Sequence, residues 1–422
     1  MLVEFKVGNF LSFKDIQVLR MRRGKSDNET GSDFAFIYGA NSSGKSNLIK
    51  AMDFARKLIL GKKTPNYRQH VNLENEPTEN SPSYFEFVIE IDGVRYSYGF
   101  EIDLDVYNKE IDAYEKKDLK NCIKSEWLII ISPKEETVFE YECNKNKCSV
   151  FRSNKYGLAL SKDDKEESKD ISKIITQWFR DKLIVRLSES EIDYIPVQKN
   201  FIQYLTDNLK KFDTGISEVV SIPFNKRPEI PYNLVKKIEE DFTEDDQLIY
   251  IKGNARKRYW LIYLQNDGFR HKSFSEIRFK HNSKYKARID EESTGTVKII
   301  QLLSLLSSQE TMDHKGTIAV DEIECSIHAL AIGEIVKMFK SKTMEGTQLI
   351  FTTHQHTILE KISESKDIWF VNAPTVGNDK MSELYSLESF KGEIKRYGEM
   401  YLDGRFSAVP IFTDYYLEDD SE

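Results

Sequence analysis

Long apolar runs are missing from this 422-residue chain, and none approaches the ~18 residues a membrane-spanning helix requires. The opening Met1-Leu-Val-Glu-Phe-Lys reads as a strand start and lacks the basic and apolar segments of a signal peptide. The expected location is therefore cytoplasmic, with no membrane partner. Cysteine is scarce: Cys122, Cys143, Cys148 and Cys325 cannot form a disulfide framework in so long a chain. Cys143-x4-Cys148 has no second Cys or His pair nearby to complete a metal clip, so it reads as the flank of a hairpin. There is no internal repeat, no low-complexity tract and no long heptad run. Excess positive charge is also missing. A net charge of −8 argues against a surface that coats nucleic acid as a whole. Local basic clusters do occur at Arg22-Arg23, Lys62-Lys63, Lys210-Lys211 and Asn254 to Arg258, each of a kind more often found on a solvated face.

What the chain does have is core material. It is 40% hydrophobic with 12% aromatics, ample for a sizeable core, and its 422 residues suggest two or three domain-sized units of about 150. It also has one stretch around which the rest is organised. The apolar run Phe34 to Tyr38 meets Gly39-Ala-Asn41-Ser42-Ser43-Gly44-Lys45-Ser46, and an apolar-periodic helix follows from about Asn47 to Leu60. Gly-x-x-x-x-Gly-Lys-Ser between a strand and a helix is the full phosphate-binding loop pattern. A nucleoside triphosphate needs several backbone N–H groups aimed at one point, which a tight glycine-permitted turn supplies. The helix adds its N-terminal partial positive charge. Lys45 is expected to reach the β- and γ-phosphates, and the Ser46 hydroxyl to ligate Mg²⁺.

Along the rest of the chain, Val3, Phe5 and Val7 alternate ahead of Gly8-Asn9, and Ile16 to Met21 continues a sheet. Tyr84 to Glu90 and Val94 to Ile102 flank Asp92-Gly93 as a β-hairpin. Glu126 to Ile131 and Thr137 to Tyr141 extend the strand-rich pattern. Lys162 to Lys169 is a charged, solvated turn. Helical periodicity then appears over Ile171 to Leu187, Val197 to Phe212 and Leu234 to Phe242. Strands return at Leu248 to Lys252, Arg258 to Leu264 and Glu276 to Phe279, with a turn at Asn266-Asp267-Gly268. The simplest organisation is a split α/β nucleotide-binding core, 1–110 and 271–422, around a mixed, largely helical middle insertion, 111–270.

Thr317-Ile-Ala-Val-Asp321-Glu322 reads as a buried strand ending in two carboxylates, where open α/β sheets place their ligands. Asp321 is expected to hold Mg²⁺ directly or through water, and Glu322 to act as general base on the attacking water. Upstream, Asp290-Glu-Glu-Ser293-Thr294-Gly295-Thr296 leads into a helix from Val297 to Leu306. Ser293 or Thr294 can cap that helix, and its N-terminus can also receive a second phosphate contact. Gln348 to Thr353-His354 is a further strand ending in a polar cluster.

This order of parts resembles the layout of ABC-type ATPases: phosphate loop, Ser-x-Gly signature, apolar-Asp-Glu, Ser326-Ile327-His328, then Thr-Thr-His354. Within them the chain is similar to the soluble overcoming-lysogenization-defect, RecF and structural-maintenance branch, in the group often labelled AAA-family ATP-binding proteins. Asn9-Phe10-Leu11-Ser12-Phe13 matches that group's opening motif, and Asn41-Ser-Ser-Gly44-Lys45-Ser46-Asn47 is its usual loop variant. Tyr84-Phe-Glu-Phe87, Tyr96-Ser-Tyr-Gly-Phe100 and Arg396-Tyr397, Tyr401, Gly404-Arg405-Phe406 also match. The resemblance covers both ends of the chain well and the middle poorly. It implies an ABC-type ATPase head, with an N-terminal antiparallel β part, that uses ATP and Mg²⁺. It further implies two protomers closing head-to-tail over two ATP molecules in a homodimer or higher oligomer. Ser293 and Gly295 of one subunit would then bind the γ-phosphate held by Lys45 of the other. Ser326 to His328 would be the D-loop at the interface, and His354 the switch histidine. The signature here is Ser-Thr-Gly-Thr, as is usual in this soluble group. Gln69 is the candidate, by position only, for the glutamine that senses Mg²⁺.

Relatives of this branch carry a Toprim nuclease after the switch histidine, or long coiled coils in the middle. The 68 residues after His354 show no acidic strand-end pattern for the former, and the middle shows no heptads for the latter. The expectation is an ATPase without its own effector. It would act as sensor or scaffold of a bacterial anti-phage, abortive-infection system and control a separately encoded effector such as a nuclease. The alternative is a RecF-like repair ATPase that clamps DNA under ATP control, which keeps nucleic acid among the partner classes.

Overall fold

The structure, a computed structural model, describes residues 1–21, 32–62, 64–70, 81–112, 122–142, 158, 160, 166–187, 192–196, 200–223, 247–252, 259–266, 272–282, 285–310, 316–341, 346–356, 358–359, 364–376, 379–390 and 396–408. The sequence-predicted helix at 234–242, the 267–268 turn, the Cys143/Cys148 pair and the basic clusters at 22–23 and 254–258 lie outside the described residues, as does Lys63 of the 62–63 pair.

In chain order the first elements are β1 (Leu2–Gly8), β2 (Gln17–Arg20), β3 (Phe34–Tyr38), α1 (Lys45–Ile59), β4 (Ser83–Ile91), β5 (Val94–Ile102), α2 (Leu104–Asp112), β6 (Ile123–Ser132), β7 (Glu136–Glu142) and α3 (Glu166–Gln177). Then follow β8 (Leu183–Arg186), β9 (Ile192–Pro196), α4 (Phe201–Leu209), β10 (Glu218–Pro223), β11 (Gln247–Lys252), β12 (Tyr259–Asn266), β13 (Lys272–Lys280), β14 (Lys286–Ala287) and α5 (Thr294–Glu310). The last are β15 (Thr317–Val320), α6 (Ala329–Phe339), β16 (Gln348–Thr352), β17 (Ile368–Asn372), the two-residue strands β18 (Thr375–Val376) and β19 (Asp379–Lys380), β20 (Glu383–Ser386) and α7 (Tyr397–Leu402). The chain divides into two compact units, one holding Gln177–Phe351 with Met1, the other Leu2–Thr176 with Thr352–Glu422.

In the second of these units an antiparallel sheet runs β2-β1-β4-β5-β6-β7. Its period-two patterning gives one apolar face, with Phe5, Val7, Phe85, Phe87 and Phe100 all fully buried. That face meets α1, where Phe54 lies 5.4 Å from Phe85 and 5.8 Å from Phe10, centroid to centroid. Burying each such ring contributes about 1.5–3 kcal/mol. β3 pairs in parallel with β17, and β17 antiparallel with β20. Phe-Ala-Phe-Ile-Tyr of β3 is buried over four of its five positions, the mark of a strand covered on both faces.

In the other unit β8, β15 and β16 form a parallel group, with Thr317 opposite both Leu183 and Gln348. Gly316 makes the β8 contact close: a Cβ there would lie 2.2 Å from the Lys182 carbonyl oxygen. An antiparallel sheet β10-β13-β12-β11-β9, with β14 paired to β13, occupies the same unit. α5 is buried around most of its circumference, including Ser304, Ser307, Ser308 and Gln309 as well as its leucines.

The sequence pattern matches α1, the β4–β5 hairpin, β15 and β16 closely. It differs at Ile171 to Leu187, predicted helical throughout. Here α3 stops at Gln177, a π-turn covers Trp178–Lys182, and Leu183–Arg186 is a buried strand. The middle is mixed: α3 and α4 are its helices, and β6 to β12 are strands, among them β11 and β12, whose β-branched and aromatic residues favour the pleated state.

Candidate functional site

Two groups of predicted residues are built, one in each unit. The first starts where β3 ends. The chain turns through Gly39–Gly44 and enters α1 at Lys45, so the amides of the turn and of the first helical residues converge. Ser42 (φ 61°) and Gly44 (φ 106°) both take left-handed backbone, and the Gly44 value is one few other residues adopt. A Cβ on Gly39 would lie 2.3 Å from the Val371 carbonyl oxygen and 2.6 Å from Ser43 Oγ. The loop is therefore bare backbone on both sides of its crest. Asn41 and Ser42 are exposed, Ser46 and Asn47 half-buried. Lys45 is buried, and its ammonium donates to the Gly39 and Ala40 carbonyls at 2.7 Å each, closing over the turn. Ser43 Oγ is buried with no hydrogen-bond partner.

Behind this loop sits a cluster that joins Ser12 and Asn47, both in motifs, to Ser382, which has no signature in the sequence. Ser382 Oγ bonds the Ser43 carbonyl (2.5 Å) and Ser12 Oγ (2.7 Å), and Asn47 Nδ2 donates to Ser12 Oγ at 2.7 Å. The Ser382 N–H donates to the Ser12 carbonyl at 2.8 Å. A Cβ on Gly44 would fall 2.2 Å from Ser382 Oγ, so Gly44 also lets this support approach. Ser12 belongs to the Asn9–Phe13 turn, and that turn also holds Gln69. The Leu11 N–H donates to the Arg68 carbonyl (3.1 Å), and the His70 N–H donates to Asn9 Oδ1 (3.2 Å). The buried His70 ring places Nδ1 3.0 Å from the Leu11 carbonyl, which makes Nδ1 the donor. Gln69, half-buried between these anchors, is thus tied to the turn that supports Asn47. In the same unit the Thr353 N–H donates to the Ile37 carbonyl at 2.9 Å, and His354 beside it is exposed.

The second group lies at the end of β15. Asp321 is buried, its N–H bonded to the Arg186 carbonyl at 2.8 Å. Glu322 is half-buried with φ 47°, a left-handed conformation that costs a non-glycine residue about 1 kcal/mol and gathers at functional sites. The turn continues through bonds from Cys325 N–H to the Glu322 carbonyl and from Ile327 N–H to the Glu324 carbonyl. Ser326 (φ 64°) and His328 are exposed, and His328 caps α6 by accepting from the Leu330 N–H.

The signature turn packs directly on this loop. Ser293 Oγ accepts from the Thr296 N–H at 3.1 Å as the cap of α5, while the residue itself is exposed. A Cβ on Gly295 would lie 2.5 Å from the Ser326 carbonyl oxygen, so only glycine allows the approach. One turn along α5, burial holds the Lys298 ammonium below the usual lysine range, against the opposing pull of Cys325, Asp321, Glu324 and Glu322. Lys298 carries no motif and was not readable in advance.

The structure thus brings Gly39, Asn41, Ser42, Ser43, Gly44, Lys45, Ser46 and Asn47 into one loop, with Gln69 and His354 in the same unit. It brings Ser293, Gly295, Asp321, Glu322 and Ser326 together in the other. A scan against protein families matches residues 34–360 to the model described as "AAA domain, putative AbiEii toxin, Type IV TA system". The chain belongs to this AAA-domain family. The fold is mixed α/β: an N-terminal antiparallel sheet in one unit, and parallel strands in each, β3 leading into the phosphate loop and β15 into the paired carboxylates. Among solved structures, the chain is similar to an SMC head bound to the C-winged helix domain of ScpA, at 13% identity and a TM-score of 0.46, over 92% of this chain and 99% of that one. It is also similar to the SMC head domain from Thermotoga maritima (14% identity, TM-score 0.39, 91% and 98% covered). A third likeness is to the Pyrococcus furiosus Smc head with an extended coiled coil bound to the C-terminal domain of ScpA (12% identity, TM-score 0.43, 96% and 99% covered). A search of curated proteins finds no match. Among the described residues no helix is long and apolar enough to cross a membrane.

Proposed function

We propose that this AAA-family protein binds and hydrolyses ATP with Mg²⁺, and that nucleotide state governs its assembly with itself and with a separately encoded effector of an anti-phage system. The observation that carries the ATP reading is the loop at the start of α1. Two left-handed residues, glycines on either side of the crest with no room for a Cβ, an inward Lys45 and an unpartnered buried Ser43 hydroxyl suit a phosphate chain. In this reading Lys45 leaves its two carbonyls for the β- and γ-phosphates. The proposed Mg²⁺ ligands are Ser46 and Asp321, with Gln69 as the sensing glutamine. The ion would supply charge neutralisation on the phosphates. Glu322 takes the proton of the attacking water, and His354 orients on the γ-phosphate side. Ser293 and Gly295 serve the ATP of a second subunit, which fits the exposure of Ser293 on an otherwise packed turn. The family's description, a toxin of a type IV TA system, supports the defence setting. The segment 111–270 is the proposed partner and oligomer surface, in the manner of loops and insertions that carry function on a fixed scaffold.

The test is the native mass and composition of tagged Glu322→Gln protein purified from its own host with ATP and Mg²⁺. Retention of ATP and a stoichiometric second polypeptide, released when ATP is withdrawn, is the expected result. A particle that carries DNA and no second polypeptide would replace the effector reading with that of a DNA clamp. Protein that binds no ATP would remove the reading altogether.

A further inference from the structure

Ser293 is exposed, yet the residue before it is not. The Glu292 side chain is 5% exposed, and its Oε1 lies 2.8 Å from His281 Nε2. A carboxylate only accepts, so Nε2 carries the proton and donates. His281 follows directly on β13, and Ser217 fixes that strand end from the turn between α4 and β10. The Ser217 hydroxyl donates to the Lys280 and His281 carbonyls at 2.8 and 3.1 Å, and its N–H donates to the Lys280 carbonyl at 2.8 Å. Gly215 (φ 73°) belongs to the same turn, and a Cβ there would touch His281 Nδ1 at 3.4 Å. The α4–β10 turn, the end of β13 and the signature turn therefore meet at one ring–carboxylate bond, all within one unit.

The two sides of Ser293 are held differently. Downstream it is fixed twice, by the α5 cap and by Gly295 against the Ser326 carbonyl. Upstream, Glu291 is held by the Arg288 N–H (2.7 Å) and the Tyr285 hydroxyl (2.5 Å), whereas the Glu292 N–H reaches the Ile289 carbonyl at 3.3 Å and the Glu292 side chain, next to Ser293, is held by His281. A buried carboxylate deprived of its donor moves toward water rather than stay unpaired. Ser293 would move with it.

We infer that His281 and Glu292 are positioning residues that set the reach of Ser293, and that they act on the ATP held by the partner subunit rather than on the protomer's own. The inference rests on the shared-site reading above. The antiparallel sheet that contains β13 thereby gains a direct mechanical line to the neighbouring active site. A misplacement of about 1 Å in such a contact costs on the order of 100-fold in turnover.

The experiment mixes differently tagged protomers and isolates the mixed dimers. His281→Ala alone should bind ATP as wild type does and turn it over on the order of 100-fold more slowly. His281→Gln, whose amide can stand in for Nε2–H, should retain most of the activity. His281→Ala mixed with Lys45→Ala should recover turnover well above either parent, because the one site combining an intact Lys45 with an intact His281 survives. Ser293→Arg mixed with Lys45→Ala is the control for the shared site. Rescue in the control without rescue for His281→Ala overturns the inference and leaves shared sites standing. No rescue in either overturns both. Should His281→Ala fold poorly, Glu292→Met removes the buried charge and the bond together, and the same rescue is expected of it. Full activity of Glu292→Met alone would equally overturn the inference.

Discussion

At the scale of single residues, the decisive positions are those where one atom more would not fit. Gly295 is the sharpest. Its missing Cβ lets the Ser326 carbonyl approach, and Gly295→Ala would force the signature turn and the 321–328 loop apart by roughly 1 Å to restore van der Waals contact. ATP affinity at the phosphate loop, in the other unit, should be unchanged, while turnover falls about 10–100-fold. Equilibrium binding and steady-state turnover on one preparation check this, and a parallel loss of both would mean the turn has no separate role. Glu322→Gln removes the proposed base and keeps the shape, so turnover should drop by roughly 10²–10⁴ with ATP still bound. These positions were legible because phosphate chemistry demands fixed spacing: Gly39 to Ser46 could be read as a unit, and Asp321-Glu322 gained meaning from it. Ser382, His281 and Lys298 were not legible. Each is a lone polar residue whose role depends on a partner outside its own element, such as Ser12 against Ser382, and no local pattern encodes that.

At the scale of elements, the antiparallel sheet shows how a polar face is kept orderly. Glu86 on β4 is buried, which raises its pKa. Hydrogen bonds from the Ser97 and Tyr84 hydroxyls and the Lys6 ammonium outweigh that and leave it below the ordinary glutamate value. A lowered folded pKa adds stability that is fully present above the unfolded value of about 4.3 and is lost as pH falls through the folded one. Glu86→Gln should therefore cost about 1–3 kcal/mol at neutral pH. The difference from wild type should shrink below pH ~4. Urea unfolding at the two pH values measures it, and a gap that stays constant would place the stabilisation elsewhere. Elements with a single clear period were legible, as in Val3-Phe5-Val7 and in α1. The segment 171–187 misled because Ile184 and Val185 continue the apolar spacing of α3. Their true neighbour is β15, through a parallel pairing that sequence spacing cannot reveal.

At the scale of the whole molecule, the question is why a single chain leaves its most specific residues in water. Ser293, Ser326, His328 and His354 are all exposed, and Leu330 beside the α6 cap is 63% exposed. An exposed leucine alone means little. Exposed motif residues on turns that are otherwise packed to the limit of a missing Cβ suit contacts made only in an assembly. ATP would then be the ligand that makes two heads complementary, and association would follow nucleotide by mass action. Glu322→Gln protein, which should retain ATP, is expected to double its native mass when ATP and Mg²⁺ are added and to stay monomeric with ADP. Ser293→Arg in the same background places a large cation on the exposed turn without touching the phosphate loop. It should bind ATP with unchanged affinity and fail to double. Light scattering across a protein dilution series, with bound nucleotide measured on the same samples, separates the outcomes. A monomer at every nucleotide state would show that one chain completes its own site. A dimer indifferent to Ser293→Arg would place the interface away from the signature turn.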